Sequence, residues 1–293
     1  MQALAQALQL LLNGVAIGSI YALVAMGLVL TYKSTEVLNF AHGDLLAGAA
    51  FVGWALVVGV GLPFVAAVPV AVAIVAALSY AIEARVVRMI IGQPQFAGVM
   101  LTIALSFIVR GGVSMIFGPD PRALPTPWTG HTTSFGPLVV TDLNLLILGS
   151  CLLTTVVVFL FLRRSDLGVS IQAASQNQLA AYLCGIRVKR LNSIVWAIAG
   201  GLAALCGLLL APTALVDTGL WIVVLKALSA SVLGGFGSVP GALLGGIAIG
   251  VIEQFSGVYL PDGFKDIIAY IVLMLVLVLW PRGLLGEAHG RRI

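Results

Sequence analysis

Charged residues are scarce in this chain of 293 residues, because Lys, Arg, Asp and Glu make up 9% of it while hydrophobic residues make up 60%. Ordinary globular domains are about 25% charged. A soluble domain of this length could not bury so much apolar surface with so few charges on the outside. The composition therefore excludes a soluble globular protein. It predicts an all-α, polytopic transmembrane bundle of about 8–10 spans that forms one domain over residues 1–293.

Motifs for catalysis and cofactor binding are also missing. No GxxxxGK[ST], HExxH, CxxC or GxSxG pattern occurs, so P-loop nucleotide binding and the common zinc-protease and serine-hydrolase sites are not expected. The three cysteines and three histidines show neither metal-ligand spacing nor a disulfide framework. The net charge of +4 does not indicate nucleic-acid binding, since the basic residues lie at the ends of apolar segments. We predict a chain that is not an enzyme and binds no metal or cofactor itself.

Long apolar runs dominate what is present, and nine of them are candidates for the roughly 20 residues that a span needs. No Lys or Arg precedes Lys33, so the first run lacks the positive flank of a signal peptide and is expected to stay as a span. The run at 219–236 is the weakest, because Lys226 interrupts it. The nine runs are 6–30, 43–60, 63–82, 96–117, 143–162, 191–211, 219–236, 239–258 and 266–281.

The positions of Lys and Arg predict the orientation in the membrane. If residues 163–190 are cytoplasmic, alternation places eleven of the fifteen basic residues inside and only Arg122 and Lys265 outside. This bias follows the positive-inside rule and predicts an external N-terminus and a cytoplasmic C-terminus. Two basic residues fall within spans. Arg110 is expected to snorkel outward or to line a cavity, and Lys226 to pair with Glu253 inside the bundle.

The segment 163–190 differs from the rest of the chain, because it is short, amphipathic and basic at both ends. Its apolar residues recur at intervals of three and four, as they do on one face of a helix. Gly185 follows this pattern and is a candidate C-terminal cap. We predict a short helix that lies at the cytoplasmic surface, where it would meet another protein. The residues on the shared face are Leu179, Tyr182, Leu183 and Ile186.

A polar stretch from Thr31 to Asp44 interrupts the apolar sequence near the N-terminus. Charged groups within a bilayer are costly, so they usually face protein or water. In one interpretation this stretch is a broken helix whose Gly43 end lines a transport pathway, with Asn39, His42 and Asp44 as polar groups. In the other it is a cytoplasmic turn whose polar groups are solvated. The residue spacing does not decide between the two.

Two further patterns concern organisation. The form GxLLxG occurs at Gly43–Gly48 and at Gly241–Gly246, which suggests an internal repeat with a pathway at the interface between its copies. The stretch from Gly118 to Asp142 is rich in Pro, Gly and Thr and is predicted to be an irregular external loop. Trp128 and Phe135 are expected to anchor this loop at the membrane surface, and a soluble partner is a second interpretation of it.

Four motifs resemble the LivH-type permeases of the branched-chain amino acid ABC importers, in the expected order and over nearly the whole chain. These motifs are NFAHGDLL (Asn39–Leu46), TIALSFIVRGG (Thr102–Gly112), the segment Leu167–Ile186, and VLGGFGSVPGALLGG (Val232–Gly246). The resemblance implies a multi-pass permease of the bacterial inner membrane. It also implies a second LivM-like permease, two cytoplasmic ATPases that bind ATP and magnesium, and a periplasmic substrate-binding protein as partners.

The resemblance further assigns roles to residues. The short helix around Gln172–Gly185 would be the coupling helix that docks on an ATPase, although Gln172 stands where family members often have Arg. The coupling residues it implies are Gln172, Ala173, Asn177, Leu179, Ala180, Leu183, Gly185 and Ile186. The pathway residues are Asn39, Phe40, His42, Gly43, Asp44, Gly237 and Gly241.

Alternatives to this function remain open on sequence alone. A self-contained channel or ion-coupled secondary transporter would need a central set of ionisable groups. A structural membrane scaffold would not need the polar stretch at 31–44. We expect a permease subunit that imports branched-chain or other hydrophobic amino acids, or related small solutes, by alternating access that partner ATPases drive through the coupling helix. Permeases similar to this chain also serve urea, short amides and other small organic acids, so the particular solute is not predicted.

Overall fold

The computed structural model describes residues 2–90, 92–135, 138–261, 263–280 and 283–285. These residues form helices joined by short connections and one small hairpin. The tail with Arg282, His289, Arg291 and Arg292, and also Pro137, lie outside the described residues. The helices are α1 (Gln2–Thr35), α2 (His42–Trp54), α3 (Phe64–Arg85), α4 (Gln95–Phe117), α5 (Asp142–Arg164), α6 (Asp166–Gln176), α7 (Gln178–Leu183), α8 (Val188–Leu210), α9 (Val223–Gly234), α10 (Val239–Tyr259) and α11 (Phe264–Leu279).

The predicted helical bundle is confirmed. Seven helical segments within the described ranges are long and apolar enough to cross a membrane. The two other predicted runs are also helical but shorter, at Thr218–Gly234 and Phe264–Leu279. The first of these begins as a 3₁₀ turn over Thr218–Ile222. Because a 3₁₀ turn rises about 2.0 Å per residue and an α-helix about 1.5 Å, Thr218–Gly234 still extends about 28 Å. The seven segments are Leu4–Thr35, His42–Gly59, Phe64–Ile90, Gln95–Phe117, Asp142–Arg164, Val188–Leu210 and Val239–Tyr259.

The chain divides into two compact units. The first comprises Met1–Val29, Trp128–Cys151 and Val223–Ile293, and the second comprises Leu30–Pro127 and Leu152–Ile222. The helices α1 and α5 each contribute residues to both units. Within each unit, elements that are distant in sequence pack together, so neither unit is a continuous piece of the chain.

Glycines allow close packing of α1 against α10 in the first unit. A Cβ atom on Gly14 would lie 2.7 Å from the Cα of Val251, and one on Gly250 would overlap the backbone of Gly18. Gly246 lies in the same way against the backbone of Ala22. Since lipid already solvates apolar side chains, backbone approach at small residues is a main source of attraction between membrane helices.

Replacing Gly250 with valine is expected to lower the free energy of unfolding by about 3 kcal/mol, because the new side chain would force α10 away from α1. A matched control is Gly149→Val, since Gly149 also lies within an apolar helix of this unit but has open space around its Cα. Thermal unfolding of the detergent-purified variants would measure the difference. Equal unfolding temperatures for the two variants would contradict this account of the packing.

In the second unit, α8 packs against both α2 and α3. Gly207 lies against the carbonyl of Leu46 on α2, and Gly200 lies against the side chain of Ser79 on α3. Trp196 of α8 is 1% exposed and sits in an apolar cluster. The helix α8 is therefore central to this unit. The members of the cluster are Ala41, Val87, Leu105 and Trp196, with Ile82, Val86 and Leu101 around them.

The prediction of an irregular loop between Gly118 and Asp142 is wrong in part. Strand β1 (Thr132–Phe135) pairs with β2 (Leu138–Thr141) in an antiparallel hairpin, with Thr132 opposite Thr141. Threonine and valine favour extended pairing, and this β-propensity outweighs the loop-like composition of the segment. The other described residues of the connection form no helix or strand apart from an isolated bridge between Arg122 and Val216.

The internal repeat is not established and stays a prediction. Its two copies do lie at the beginnings of α2 and α10. However, the two helices begin differently. The hydroxyl of Ser238 caps α10 by accepting a hydrogen bond of 3.1 Å from the amide of Gly241, whereas Ala41 precedes α2 without a side-chain cap.

Candidate functional site

The amphipathic segment in the second unit consists of two helices rather than one. Asn177 separates α6 from α7 with an extended backbone conformation, at φ −157° and ψ 103°. Its side-chain oxygen accepts a hydrogen bond of 3.0 Å from the amide of Ala180 and so caps α7. Asparagine is a preferred N-cap residue. The expectation that a single helix covers Gln172–Gly185 is therefore wrong, because Asn177 ends one helix and begins the next.

Gly185 ends α7, as its position predicts. Its φ is +87°, and its amide donates to the carbonyl of Tyr182 at 2.9 Å. The amide of Ile186 donates to the carbonyl of Ala181 at 3.0 Å. These two bonds form a Schellman motif, which favours glycine because a side chain is strained at positive φ. Ile186 thus lies beyond α7 and does not belong to its helical face, contrary to the pattern read from the sequence.

Three large apolar side chains of α7 are exposed: Leu179 at 69%, Tyr182 at 67% and Leu183 at 76%. We call these three residues the α7 face. On the other side of the helix, Ala181 is buried against the rest of the unit. On α6, Ala173 is exposed and Gln172 donates its amide to the carbonyl of Leu162 at 2.8 Å. The short helix is therefore fixed on one side and presents an apolar surface on the other.

The beginning of α7 is hydrogen-bonded to the end of α1. The amide of Gln178 donates to the carbonyl of Ser34 at 2.9 Å. The hydroxyl of Ser34 in turn donates to the side-chain oxygen of Asn192 on α8 at 2.8 Å. Neither Gln178 nor Ser34 stands out in the sequence, because a polar residue at a helix end is an ordinary solvated group unless its partner is known.

The polar stretch from Thr31 to Asp44 continues from this point and runs along α4. After α1, Glu36 is the one non-glycine residue with positive φ, at 57°, among the residues described. Val37 then contacts Gly98, and the carbonyl of Leu38 accepts a hydrogen bond of 2.8 Å from Thr102. The stretch therefore follows α4 inward.

Asp44 lies deep along α4. Its carboxylate accepts hydrogen bonds from the hydroxyl of Ser106 and from Arg110, whose Nε is 2.7 Å and whose Nη2 is 3.2 Å away. Arg110 comes 15 residues after Gln95, the first residue of α4 (110 minus 95), which is about 22 Å of helix. Asp44 is thus far from the end of α4 at which the stretch enters, so α2 begins well inside the unit.

Burial decides between the two interpretations of this stretch. Asn39, His42 and Asp44 are 2% exposed or less. The solvated-turn interpretation is therefore wrong. Arg110 does not snorkel, since it pairs with Asp44 while its guanidinium lies 4.5 Å from the ring centre of Trp221. Its side chain remains 27% exposed.

Two buried groups beside Asp44 have no hydrogen-bond partner among the described residues. They are the side-chain oxygen of Asn39 and the imidazole of His42, at both Nδ1 and Nε2. Unsatisfied buried polar groups are uncommon and costly. Phe40 is half-buried and Gly43 is buried in the same stretch. The segment 39–44 is therefore a buried polar segment with unused hydrogen-bonding capacity.

The other two predicted pathway residues, Gly237 and Gly241, belong to the first unit. Gly237 has φ +138°, and Gly241 is packed directly against the backbone of Gly234. Gly237 belongs to the turn between α9 and α10, where its positive φ disfavours a side chain although the space around it is open. Gly241 lies in the first turn of α10, where a Cβ would overlap the backbone of Gly234. Their structural requirement is clear, and a role in a pathway stays a prediction.

The first unit also contains a buried ionic cluster, and the predicted pairing of Lys226 with Glu253 is confirmed. Lys226 Nζ lies 2.8 Å from Glu253 Oε1 and 3.6 Å from Asp266. The other carboxylate oxygen of Glu253 accepts a hydrogen bond of 2.7 Å from the hydroxyl of Tyr21. Tyr21 therefore links α1 to the pair that α9 and α10 form, and its aromatic, apolar sequence context carried no sign of that role.

A third buried carboxylate, that of Glu83 in the second unit, could not be recognised from the sequence. Glu83 of α3 is fully buried and accepts hydrogen bonds from Ser193 and from Arg88, the latter at 3.4 Å. The one sign of this pair in the sequence is that Arg88 follows Glu83 by five residues. It does not distinguish a buried pair from a surface pair.

Known proteins are similar to this chain over nearly its whole length. Residues 10–277 match the family model described as "Branched-chain amino acid transport system / permease component". The chain is 31% identical over 300 residues to the high-affinity branched-chain amino acid transport system permease protein BraD of Pseudomonas aeruginosa, covering 98% of each. It is 30% identical over 301 residues to the protein LivH of Escherichia coli, named in the same way, covering 98% of this chain and 97% of that protein.

A solved structure also resembles the fold. It is described as PsaBC from Streptococcus pneumoniae in complex with Fab, and it matches with a TM-score of 0.50 at 15% sequence identity. The match covers 94% of this chain and 91% of that one. At this identity the similarity concerns the fold alone.

Proposed function

Because this chain belongs to the family of permease components of branched-chain amino acid transport systems, we propose that it forms part of the membrane pathway of an ATP-driven importer for branched-chain or other hydrophobic amino acids. It acts as a multi-pass transport subunit and not as an enzyme. Residues 1–293 form one permease domain, and its C-terminus and coupling segment 163–190 face the cytoplasm. The membrane is the bacterial inner membrane.

The proposed importer contains further subunits besides this chain. Two cytoplasmic ATPases bind ATP and magnesium, since this chain has no P-loop motif to do so. A second LivM-like permease completes the pathway, and a periplasmic binding protein delivers the solute. Lipid surrounds the apolar helices, and no nucleic acid is involved.

The observation that carries the proposal is the connection between α7 and the buried polar segment. Gln178 at the start of α7 holds the carbonyl of Ser34 at 2.9 Å. Five residues after Ser34 (39 minus 34) begins the segment 39–44, which ends in the Asp44–Arg110 pair. A displacement of α7 is therefore transmitted through few covalent and hydrogen bonds to buried polar groups. We assign α7 as the part of the coupling segment that an ATPase moves.

The proposed coupling surface is the α7 face together with the flanking exposed residues. Exposed apolar side chains on a helix fixed by Asn177 and Gly185 fit a hydrophobic groove on a partner. Gln172, Ala173 and Ala180 extend this surface, and Ile186 supports it from the turn that follows α7. The proposed pathway residues are Asn39, Phe40, His42, Gly43 and Asp44 in one unit, and Gly237 and Gly241 in the other.

Replacing Leu179 with aspartate is expected to reduce ATP-driven uptake at least about tenfold while the protein still inserts and folds. The side chain is 69% exposed, so the chain itself tolerates the change, but a buried carboxylate in a docked interface costs more than the 1.4 kcal/mol that corresponds to tenfold. The measurement is uptake of radiolabelled leucine into proteoliposomes, alongside ATP hydrolysis. A matched control is Leu167→Asp, which changes an exposed leucine of the same segment outside α7.

Two results would contradict the proposal. Normal, ATP-driven uptake by well-inserted Leu179→Asp would exclude α7 as the coupling element. Uptake by the purified chain alone, without ATP and without copurifying ATPases, would favour a self-contained channel or secondary transporter. Copurification of the tagged chain from its native membrane distinguishes these cases, because an importer brings two ATPase chains and a second permease with it.

A further inference from the structure

A cavity of about 850 Å³ lies beside α7 in the second unit, between the turn after α3 and the beginning of α8. Three cationic side chains line it: Arg88, Arg187 and Lys189. No acidic side chain does so among the described residues that form its wall. Arg88 is paired with Glu83, which lies behind the wall, but no carboxylate among the described lining residues faces Arg187 or Lys189. An anion placed between the cations would reduce their mutual repulsion.

Arg88 is held rigidly at one side of this cavity. Its Nη2 donates to the hydroxyl of Ser193 at 2.8 Å and to the carbonyl of Lys189 at 3.2 Å, and Glu83 lies 3.4 Å away. Its Nε is buried and has no hydrogen-bond partner among the residues described. The guanidinium is therefore oriented by the fold. Arg187 and Lys189 are exposed and can adjust to a ligand.

The rest of the wall is not basic but apolar and amide-bearing. Leu179, Tyr182 and Val188 supply the apolar part, and Gln178 and Asn192 supply the amides. A small inorganic anion would use only the cations. A molecule that joins a phosphate to hydrocarbon would use both parts of the wall.

We propose that this cavity binds the phosphate head group of an anionic phospholipid from the cytoplasmic leaflet. Basic cavities at the cytoplasmic ends of membrane helices are typical sites for such head groups. The placement of the cavity in that leaflet rests on the orientation in the proposed function. The phosphate lies between Arg88, Arg187 and Lys189, and the glycerol and upper acyl chains lie against Val188.

The bound lipid would restrain α7, the proposed coupling element. The cavity is bounded by Gln178, which holds Ser34, and by Asn192, which accepts from Ser34. A head group seated here fixes α7 relative to α8 and so stabilises the connection to the buried polar segment. Anionic phospholipid is therefore a positive regulator of transport in this proposal.

The test uses the complete importer in detergent, titrated with phosphatidylglycerol and, separately, with phosphatidylcholine of the same acyl chains. Native mass spectrometry counts the lipids bound to the permease. The variant Arg187→Gln/Lys189→Gln is expected to bind phosphatidylglycerol about 25-fold more weakly, since each cation near a lipid head group contributes about fivefold. The exchange Arg187→Lys/Lys189→Arg, which preserves the charge, is expected to bind within about twofold of the unchanged protein, because attraction to head groups depends mainly on charge.

The matched control is Arg163→Gln/Arg164→Gln, which removes two basic residues of the same segment that do not line the cavity. Equal weakening by this control, or equal binding of phosphatidylcholine, would overturn the proposal. Displacement of phosphatidylglycerol by millimolar inorganic phosphate would identify a free anion as the ligand instead. Loss of ATPase subunits from Arg187→Gln/Lys189→Gln with unchanged lipid binding would assign the cavity to a carboxylate of a partner protein.

These outcomes are separate from a failure of the proposed function. Lipid binding is counted without transport, and ATP-driven uptake is measured in its own assay. A chain that binds phosphatidylglycerol in the cavity but does not transport with ATP would refute the importer assignment alone. A chain that transports normally but binds no lipid there would refute the lipid site alone.

Discussion

Replacing Lys226 with methionine is expected to lower the free energy of unfolding by about 3–5 kcal/mol, because it leaves the buried carboxylate of Glu253 without its counter-charge. Lys226 Nζ is 2.8 Å from Glu253, and the side chains of the two residues are 11% and 4% exposed. The hydrogen bond from Tyr21 to the other oxygen of Glu253 cannot compensate for a missing charge. The expected result is a large fall in the thermal stability of the detergent-purified protein and in its yield from the membrane.

A double variant distinguishes lost charge balance from lost packing. Lys226→Met/Glu253→Gln removes both charges, and the glutamine can still accept the hydrogen bond from Tyr21. We expect it to recover more than half of the lost stability, since neutral replacements for both partners of a buried pair are often tolerated. Lys265→Met serves as control, because Lys265 is an exposed lysine in the same unit. A double variant as unstable as Lys226→Met would contradict this account, because removing the unpaired charge of Glu253 would then restore no stability.

The second large effect is expected at Arg110. Arg110→Gln removes two hydrogen bonds and the counter-charge from Asp44, a carboxylate that is 2% exposed. The expected loss is about 3 kcal/mol in the free energy of unfolding. Arg163→Gln, an exposed arginine of the same unit, is expected to change stability by less than about 0.5 kcal/mol. Thermal unfolding in detergent, measured by intrinsic fluorescence, compares the two.

The same pair tests the proposed pathway. Asp44→Asn/Arg110→Gln replaces both charges by amides, which can still hydrogen-bond to each other and to Ser106, so folding is expected to return. If the pair takes part in transport, uptake of leucine stays low in this refolded double variant. His42→Ala is expected to change uptake in the same assay without altering assembly, because the imidazole has no hydrogen-bond partner to lose among the described residues. Normal uptake by both variants would make the segment 39–44 purely structural.

Sequence patterns predicted the fold class well, and the reason is physical. A span needs about 20 apolar residues whatever its neighbours are, so hydropathy alone locates the helices. The cap at Gly185 was predictable for a similar reason, since positive φ is a local property of one residue. The pairing of Lys226 with Glu253 was predictable because a charge within an apolar run needs a partner and few were available.

Other features could not be read locally. Asn177 looked like one more polar residue of an amphipathic helix, yet its side chain caps α7 and divides the segment. The sequence just before residue 132 has a loop-like composition. Residues 132–135 and 138–141 are recognised as strands only from their pairing with each other. The side chain of Arg110 is long enough either to reach the membrane surface or to pair with a carboxylate inside the protein. Its contact with Asp44, 66 residues away in sequence, arises from the packing of α2 against α4.

The sequence by itself determined that this protein is a polytopic helical membrane protein, where its apolar helices lie and which of their ends bear positive charge. Those properties depend on composition and spacing along the chain. The tertiary structure decided that the polar stretch 37–44 runs along α4, that Asp44 meets Arg110, and that Gln178 ties α7 to the end of α1. These contacts join residues distant in sequence. Their energies depend on burial and on the position of a partner atom, which no local pattern specifies.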